Sequence, residues 1–155
     1  MRAAIDSASL IFMLKIPKLK EIVDYYIEKL YITDAIYREV FESKLSEEIK
    51  TFDKFKLERK NPRKILQTKL GIGELSVISL ALEEKLLFIS EDRKALLFAN
   101  SIGVNTASIL SILIKAKKEG KLNKDEAKSL LFTIIENGFY MSSELFSVVL
   151  KILDQ

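Results

Sequence analysis

Apolar runs of three or four residues at 3–5, 30–32, 86–89 and 102–104, each followed by polar helix-start residues, constrain this chain most. Runs so short and so apolar suit strands buried on both faces of a parallel sheet, whose neighbours need a crossover that is usually helical. Helical apolar periods fill the gaps at 9–14, 19–26, 33–41, 62–70, 73–84 and 92–101. The alternation predicts an α/β fold, a three-layer α/β/α sandwich around a central parallel sheet of four to five strands. After Thr106, read as an N-cap, the pattern is helical almost to the end. The segment 108–118 closes on Lys117, Lys118 and Gly120, the segment 123–136 closes on Asn137-Gly138, and a last helix runs from Ser142 or Ser143 to 153. No repeat and no Pro/Gly-rich linker interrupts residues 1–155, which read as a single domain with 106–155 mainly helical. The charged stretch 42–64, carrying Phe52, Phe55 and Leu57, reads as a helical hairpin or a mobile lid.

Composition then removes whole classes of chemistry. The absence of Cys excludes disulfide scaffolds, thiol nucleophiles and thiolate zinc sites, and the absence of His removes the imidazole base of Ser-His and Cys-His mechanisms. Carboxylates, hydroxyls, Lys, Arg or Tyr must carry any reaction. A formal charge of +3 leaves the partner open while allowing a local basic surface to meet a polyanion. The start, residues 1–14, imitates the charged and apolar regions of an export signal, but Asp6 breaks it and Lys15 and Lys18 follow without a cleavage site. The segment is therefore read as part of the fold, and the protein as cytoplasmic, with no membrane contact.

Four acids interrupt surfaces otherwise built for burial. Asp6 directly follows the first apolar run, at the carboxyl end where open parallel sheets bind ligands, although an Asp there is also an ordinary N-cap. Glu39, three residues after Ile36 and beside Val40, projects close to the apolar stripe of its helix and away from the solvent face. Glu74 aligns with Val77, Ile78 and Ala81 on the side that should pack on the sheet, while a first-turn Glu also complements the helix dipole. Gly71 and Gly73 permit close approach there. Asp92 closes the third apolar run through Ser90-Glu91, again as ligand group or as cap.

Four carboxylates gathered within a few ångströms repel strongly unless some are protonated or a cation enters. All-oxygen ligation favours Mg²⁺ or Mn²⁺ over zinc, and such ions bind phosphate oxygens, which points to phosphodiester chemistry.

These residues together resemble a PIN domain, the nuclease fold of VapC-type toxins and related RNA-processing proteins, over nearly the whole chain. Ile5-Asp6-Ser7-Ala8-Ser9-Leu10-Ile11 is similar to the family's opening motif, and Ile36-Tyr37-Arg38-Glu39-Val40 to its second acidic helix. Gly73-Glu74 followed by Ala81 resembles the third acidic position of a less characterised subgroup, and Ile89-Ser90-Glu91-Asp92 the fourth. The tail from Asn137 to Leu145 resembles that subgroup's ending. The resemblance implies a metal-dependent endoribonuclease hydrolysing RNA phosphodiester bonds, with Asp6, Glu39, Glu74 and Asp92 as catalytic groups and as ligands of Mg²⁺ or Mn²⁺. Ser7, Ser90, Glu91 and Asn105 would support them, Glu91 as a substitute ligand. Two departures stand out: Ser76 where the subgroup often has a second acid, and Asn105-Thr106 in place of Gly-Thr.

The densest basic region, Lys54, Lys56, Arg59, Lys60, Arg63 and Lys64, with Phe52 and Phe55 nearby, is the candidate nucleic-acid surface; a solvated helix face would look the same. Lys115, Lys117, Lys118, Lys121 and Lys124 are explained by helix C-terminal complementarity. The alternative to catalysis is a PIN-like module that binds RNA or protein without cutting. A phosphatase is disfavoured because Asp6-Ser7-Ala8 lacks the second Asp of an Asp-x-Asp pair. The resemblance further implies a homodimer, for which Leu110, Leu113 and Ile114 or Leu145, Val148, Val149 and Ile152 offer apolar faces, and an antitoxin-like protein inhibitor of the toxin-antitoxin kind.

Overall fold

The computed structural model describes residues 1–42 and 57–155. Five strands form one sheet: β1 (Arg2–Ile5), β2 (Lys29–Ile32), β3 (Leu57–Arg59), β4 (Leu87–Ile89) and β5 (Thr106–Ala107). Their order is β3-β2-β1-β4-β5 and all neighbours are parallel, with Ala4 opposite both Tyr31 and Phe88. Eight helices are described: α1 (Ser7–Lys15), α2 (Pro17–Tyr26), α3 (Asp34–Phe41), α4 (Ile72–Glu84), α5 (Arg93–Ser101), α6 (Ile109–Lys118), α7 (Lys124–Glu136) and α8 (Ser143–Leu153). They flank the sheet, giving the expected α/β/α fold.

The sheet's centre explains the short runs. Ala3, Ala4, Ile5, Phe88 and Ile89 are at most 1 % exposed, so both faces of β1 and β4 are covered and no alternation with polar residues remains. From β1 the chain moves outward to β2 and β3, then returns past β1 to build β4 and β5. The reversal lies between β1 and β4, and the crevice outside the carboxyl ends at such a switch point is where open α/β sheets bind ligands.

Several expectations need correction. The strand expected at 102–104 forms instead at Thr106–Ala107, because Gly103, at φ +87, and the Val104 amide bonding back to Ala99 O complete the end of α5. Thr106 is accordingly a strand residue, and the N-cap is Ser108. No helix forms at 62–70: the amides of Arg63 and Lys64 donate to the Glu83 carboxylate and that of Leu66 to Ser79 Oγ, so side chains of α4 take over what a helical ladder would satisfy. Part of the expected hairpin or lid at 42–64 is edge strand β3, with Glu58 and Arg59 exposed; residues 43–56 of it, including Phe52, Lys54, Phe55 and Lys56, fall outside the described residues. Leu110 and Leu113 of α6 and Val149 of α8 belong to the core, whereas Leu145 and Val148 of α8 remain exposed. Among the described residues no helix is long and apolar enough to cross a membrane.

Candidate functional site

The topology delivers the four acids to the switch point. Asp6 follows β1 and caps α1; Asp92 follows β4 and caps α5. Glu39 comes from α3, the helix after β2, and Glu74 from the first turn of α4, the helix that packs on β1 and β4. All four line one cavity of about 430 Å³, together with Ser7, Ala8, Ile36, Gly71, Ile72 and Gly73.

Asp6 and Asp92 cap their helices and also line the cavity. Asp6 Oδ1 accepts from the Ser9 amide at 2.9 Å, and its Oδ2 accepts from Ser90 Oγ at 2.5 Å. Asp92 Oδ1 accepts from the amides of Lys94 and Ala95 at 2.9 and 3.2 Å. Glu74 Oε2 accepts from the Gly71 amide at 3.2 Å. In each case the cap fixes the carboxylate's position while the cavity wall takes in the same side chain, so capping positions these acids and does not compete with the cavity for them.

Two of these carboxyls are raised, by burial first and by neighbouring negative charge after it. Burial pushes the Asp6 carboxyl up; hydrogen bonds from Ser90 and Ser9 oppose this, and the negative charge of Asp92 adds to it. The Glu74 carboxyl is also raised, by burial and then by Asp92, which lies within hydrogen-bonding reach. A cation entering the cavity would lower both.

Glu39 departs from its expected setting. It is exposed, at the mouth of the cavity, whereas its neighbours Ile36 and Val40 are buried. Ser90 donates to Asp6 Oδ2, and Ser7 lines the cavity. Glu91 does not line the cavity: its Oε1 accepts from the Ile109 amide at the start of α6 at 2.5 Å, and burial raises its pKa to about 7. Asn105 lies at the opposite, amino end of the sheet, lining a separate cavity with Met1, Arg2 and Lys85. Its expected place depended on a strand at 102–104; with β5 starting four residues later, Asn105 precedes the strand and does not follow it. Ser76, noted as a missing acid, is buried and engaged with Thr33.

Of the four described members of the basic region, two are committed to ion pairs. Arg59 binds Asp34 through two nitrogens, at 3.2 and 3.0 Å, and its guanidinium stacks 3.9 Å from the Tyr37 ring centre. Lys60 pairs with Glu84 at 3.0 Å. Arg63 and Lys64 are exposed.

The donor set suits a hard ion. Every candidate ligand is a carboxylate oxygen, and the chain contains no imidazole or thiolate. Among the described residues no three acids converge tightly enough to hold an ion unaided. The four instead form the walls of an open cavity, an arrangement compatible with Mg²⁺, which keeps several waters and is held by one or two carboxylates plus substrate phosphates.

A family model described as a PIN domain matches residues 2–155. Among solved structures, the chain is similar to a PilT N-terminus domain protein, SSO1118, from the hyperthermophilic archaeon Sulfolobus solfataricus. The identity is 20 %, covering 92 % of this chain and 100 % of that one, with a TM-score of 0.51. The comparison with curated proteins found no match.

Proposed function

This chain belongs to the PIN-domain family, and from that premise we propose that it is an Mg²⁺- or Mn²⁺-dependent endoribonuclease hydrolysing RNA phosphodiester bonds. The family's fold is of nuclease type. The observation that carries the reading is the meeting of Asp6, Glu39, Glu74 and Asp92, from four separate elements, on one cavity at the sheet's switch point.

Asp6 and Asp92 would hold the ion from the sheet side, anchored by Ser90 and by the amides they cap. Glu39 would close the set from the mouth. Glu74 would complete the set from the first turn of α4. The chemistry supplied by a bound ion is charge neutralisation on the phosphodiester and activation of water. Arg63 and Lys64, exposed on the β3 side, would meet RNA phosphates. The exposed Leu145 and Val148 of α8 would pair two copies, which light scattering would detect.

The test is cleavage of single-stranded RNA with Mn²⁺ by the wild type and by Asp6→Asn, Glu39→Gln and Asp92→Asn. Each substitution should abolish cutting while circular dichroism shows the fold intact. Undiminished cleavage in all three would remove the proposal. RNA retention without turnover by a metal-replete wild type would favour a binding module instead.

A further inference from the structure

Gly73 sits against the carboxylate of Glu39. A Cβ built on Gly73 would overlap Glu39 Oε1, with Cδ at 3.3 Å and Oε2 at 3.6 Å from the same point. Gly73 has no positive φ, so its backbone does not require glycine; the space does. It is buried on the cavity wall and occupies the second position of α4, immediately before Glu74.

A buried hydroxyl pair fixes this meeting. Ser76 Oγ donates to the Gly73 carbonyl at 2.6 Å and lies 2.7 Å from Thr33 Oγ1. A hydroxyl has one proton, so with that of Ser76 spent on Gly73 O, Thr33 is the donor in the pair. Thr33 is also the N-cap of α3, accepting from the Ile36 amide. The start of α3 is thus tied to the first turn of α4, and Glu39, in the second half of α3, is brought over Gly73. Ser76 thereby has a positioning part where the family resemblance led one to look for an acid.

We propose that Gly73 is a positioning residue: it leaves the slot in which the Glu39 carboxylate rests, setting Glu39 beside Glu74 on the acidic cavity. The inference rests on the metal-site reading of that cavity. Glu39 is exposed and its carboxylate is the free end of a flexible side chain, so a methyl group at position 73 displaces it outward at little cost to the fold.

The experiment is a cycle of wild type, Gly73→Ala, Glu39→Ala and the double variant, measured by calorimetric Mn²⁺ titration and by melting in metal-free buffer. Gly73→Ala should stay folded and bind Mn²⁺ roughly ten-fold or more weakly, as expected when support for a ligand is lost. Placed in Glu39→Ala, the same change should leave Mn²⁺ affinity where Glu39→Ala put it. In the melts, alanine at a compatible helical position should raise Tm by roughly 1–4 °C when Glu39 is absent, and by clearly less when Glu39 must move. Equal Tm gains in both backgrounds, or an unchanged Mn²⁺ affinity in Gly73→Ala, would overturn the proposal. A wild type that takes up no Mn²⁺ refutes the metal reading instead, and the melts then decide the Gly73–Glu39 contact by themselves.

Discussion

Ser90 Oγ donates a 2.5 Å hydrogen bond to Asp6 Oδ2 across 84 residues of sequence, joining the residue after β4 to the residue after β1 at the point where the strand order reverses. The Asp92 amide donates in turn to Ser90 Oγ at 3.0 Å, so one hydroxyl holds the two sheet-side acids in register.

Ser90→Ala should therefore act on both. Removing a buried donor to a charged group costs about 1–3 kcal/mol, and the Asp6 carboxyl, already raised by burial, should rise further. Metal-free melts should show the loss of stability. Mn²⁺-dependent cleavage should shift its acid limb to higher pH; a melting loss with an unmoved pH profile would confine Ser90 to stability.

Asp92 has two separable duties. Its cap on α5 needs one side-chain oxygen, which asparagine also supplies, whereas alanine supplies none. Asp92→Asn should melt close to wild type, and Asp92→Ala about 1 kcal/mol lower, which is roughly 2–4 °C for a chain of this size. Both should lose Mn²⁺ affinity. Equal melting of the two variants would remove the cap from the account.

The buried strands and the four acids were legible because each carries a local signature. β1 and β4 are apolar on both faces, and a carboxylate beside an apolar run stands out. β3 was not legible: an edge strand with Glu58 and Arg59 exposed has no burial pattern to display. The apparent helical period at 62–70 was real as a pattern, but Glu83 and Ser79, some 13 to 20 residues later, bond its amides, and no local rule registers acceptors so distant. Glu39 was found for a partly mistaken reason. Its position on the helix is next to the apolar stripe, yet its side chain is exposed, and what draws it to the cavity is the bare backbone of Gly73, a contact between residues 34 apart.

The basic cluster divides into structural and free members. Arg59 is held by Asp34 and stacked on Tyr37, and Asn61 and Arg59 together keep the Asp34 carboxyl below its usual range. Arg59→Ala should lower stability by about 0.5–1 kcal/mol through the lost stacking and pairing. It should leave the salt dependence of RNA binding unchanged. Arg63→Ala and Lys64→Ala should do the reverse, each reducing the slope of log affinity against log salt by about 0.7 for single-stranded RNA. Filter binding across a salt series distinguishes them; an altered slope in Arg59→Ala would return that residue to the RNA surface.

Glu91 sets a pH dependence whose sign follows from its burial. Its carboxyl, ordinarily near 4.5, is raised to about 7, chiefly by desolvation; the Ile109 amide opposes the rise and the charge of Asp6 adds to it. Below pH 4.5 the group is protonated folded and unfolded, and nothing is lost. Between about 4.5 and 7 the folded state keeps a proton that the unfolded state releases, so stability falls as pH rises, by up to roughly 3 kcal/mol, and levels off above 7. Asp6 and Glu74, raised as well, slope in the same direction. Glu91→Gln retains an acceptor for the Ile109 amide without the charge. In metal-free melts it should match wild type at pH 4 and exceed it at pH 8. A gain that is equal at both values would show that glutamine improves packing and that the Glu91 proton carries none of the pH dependence.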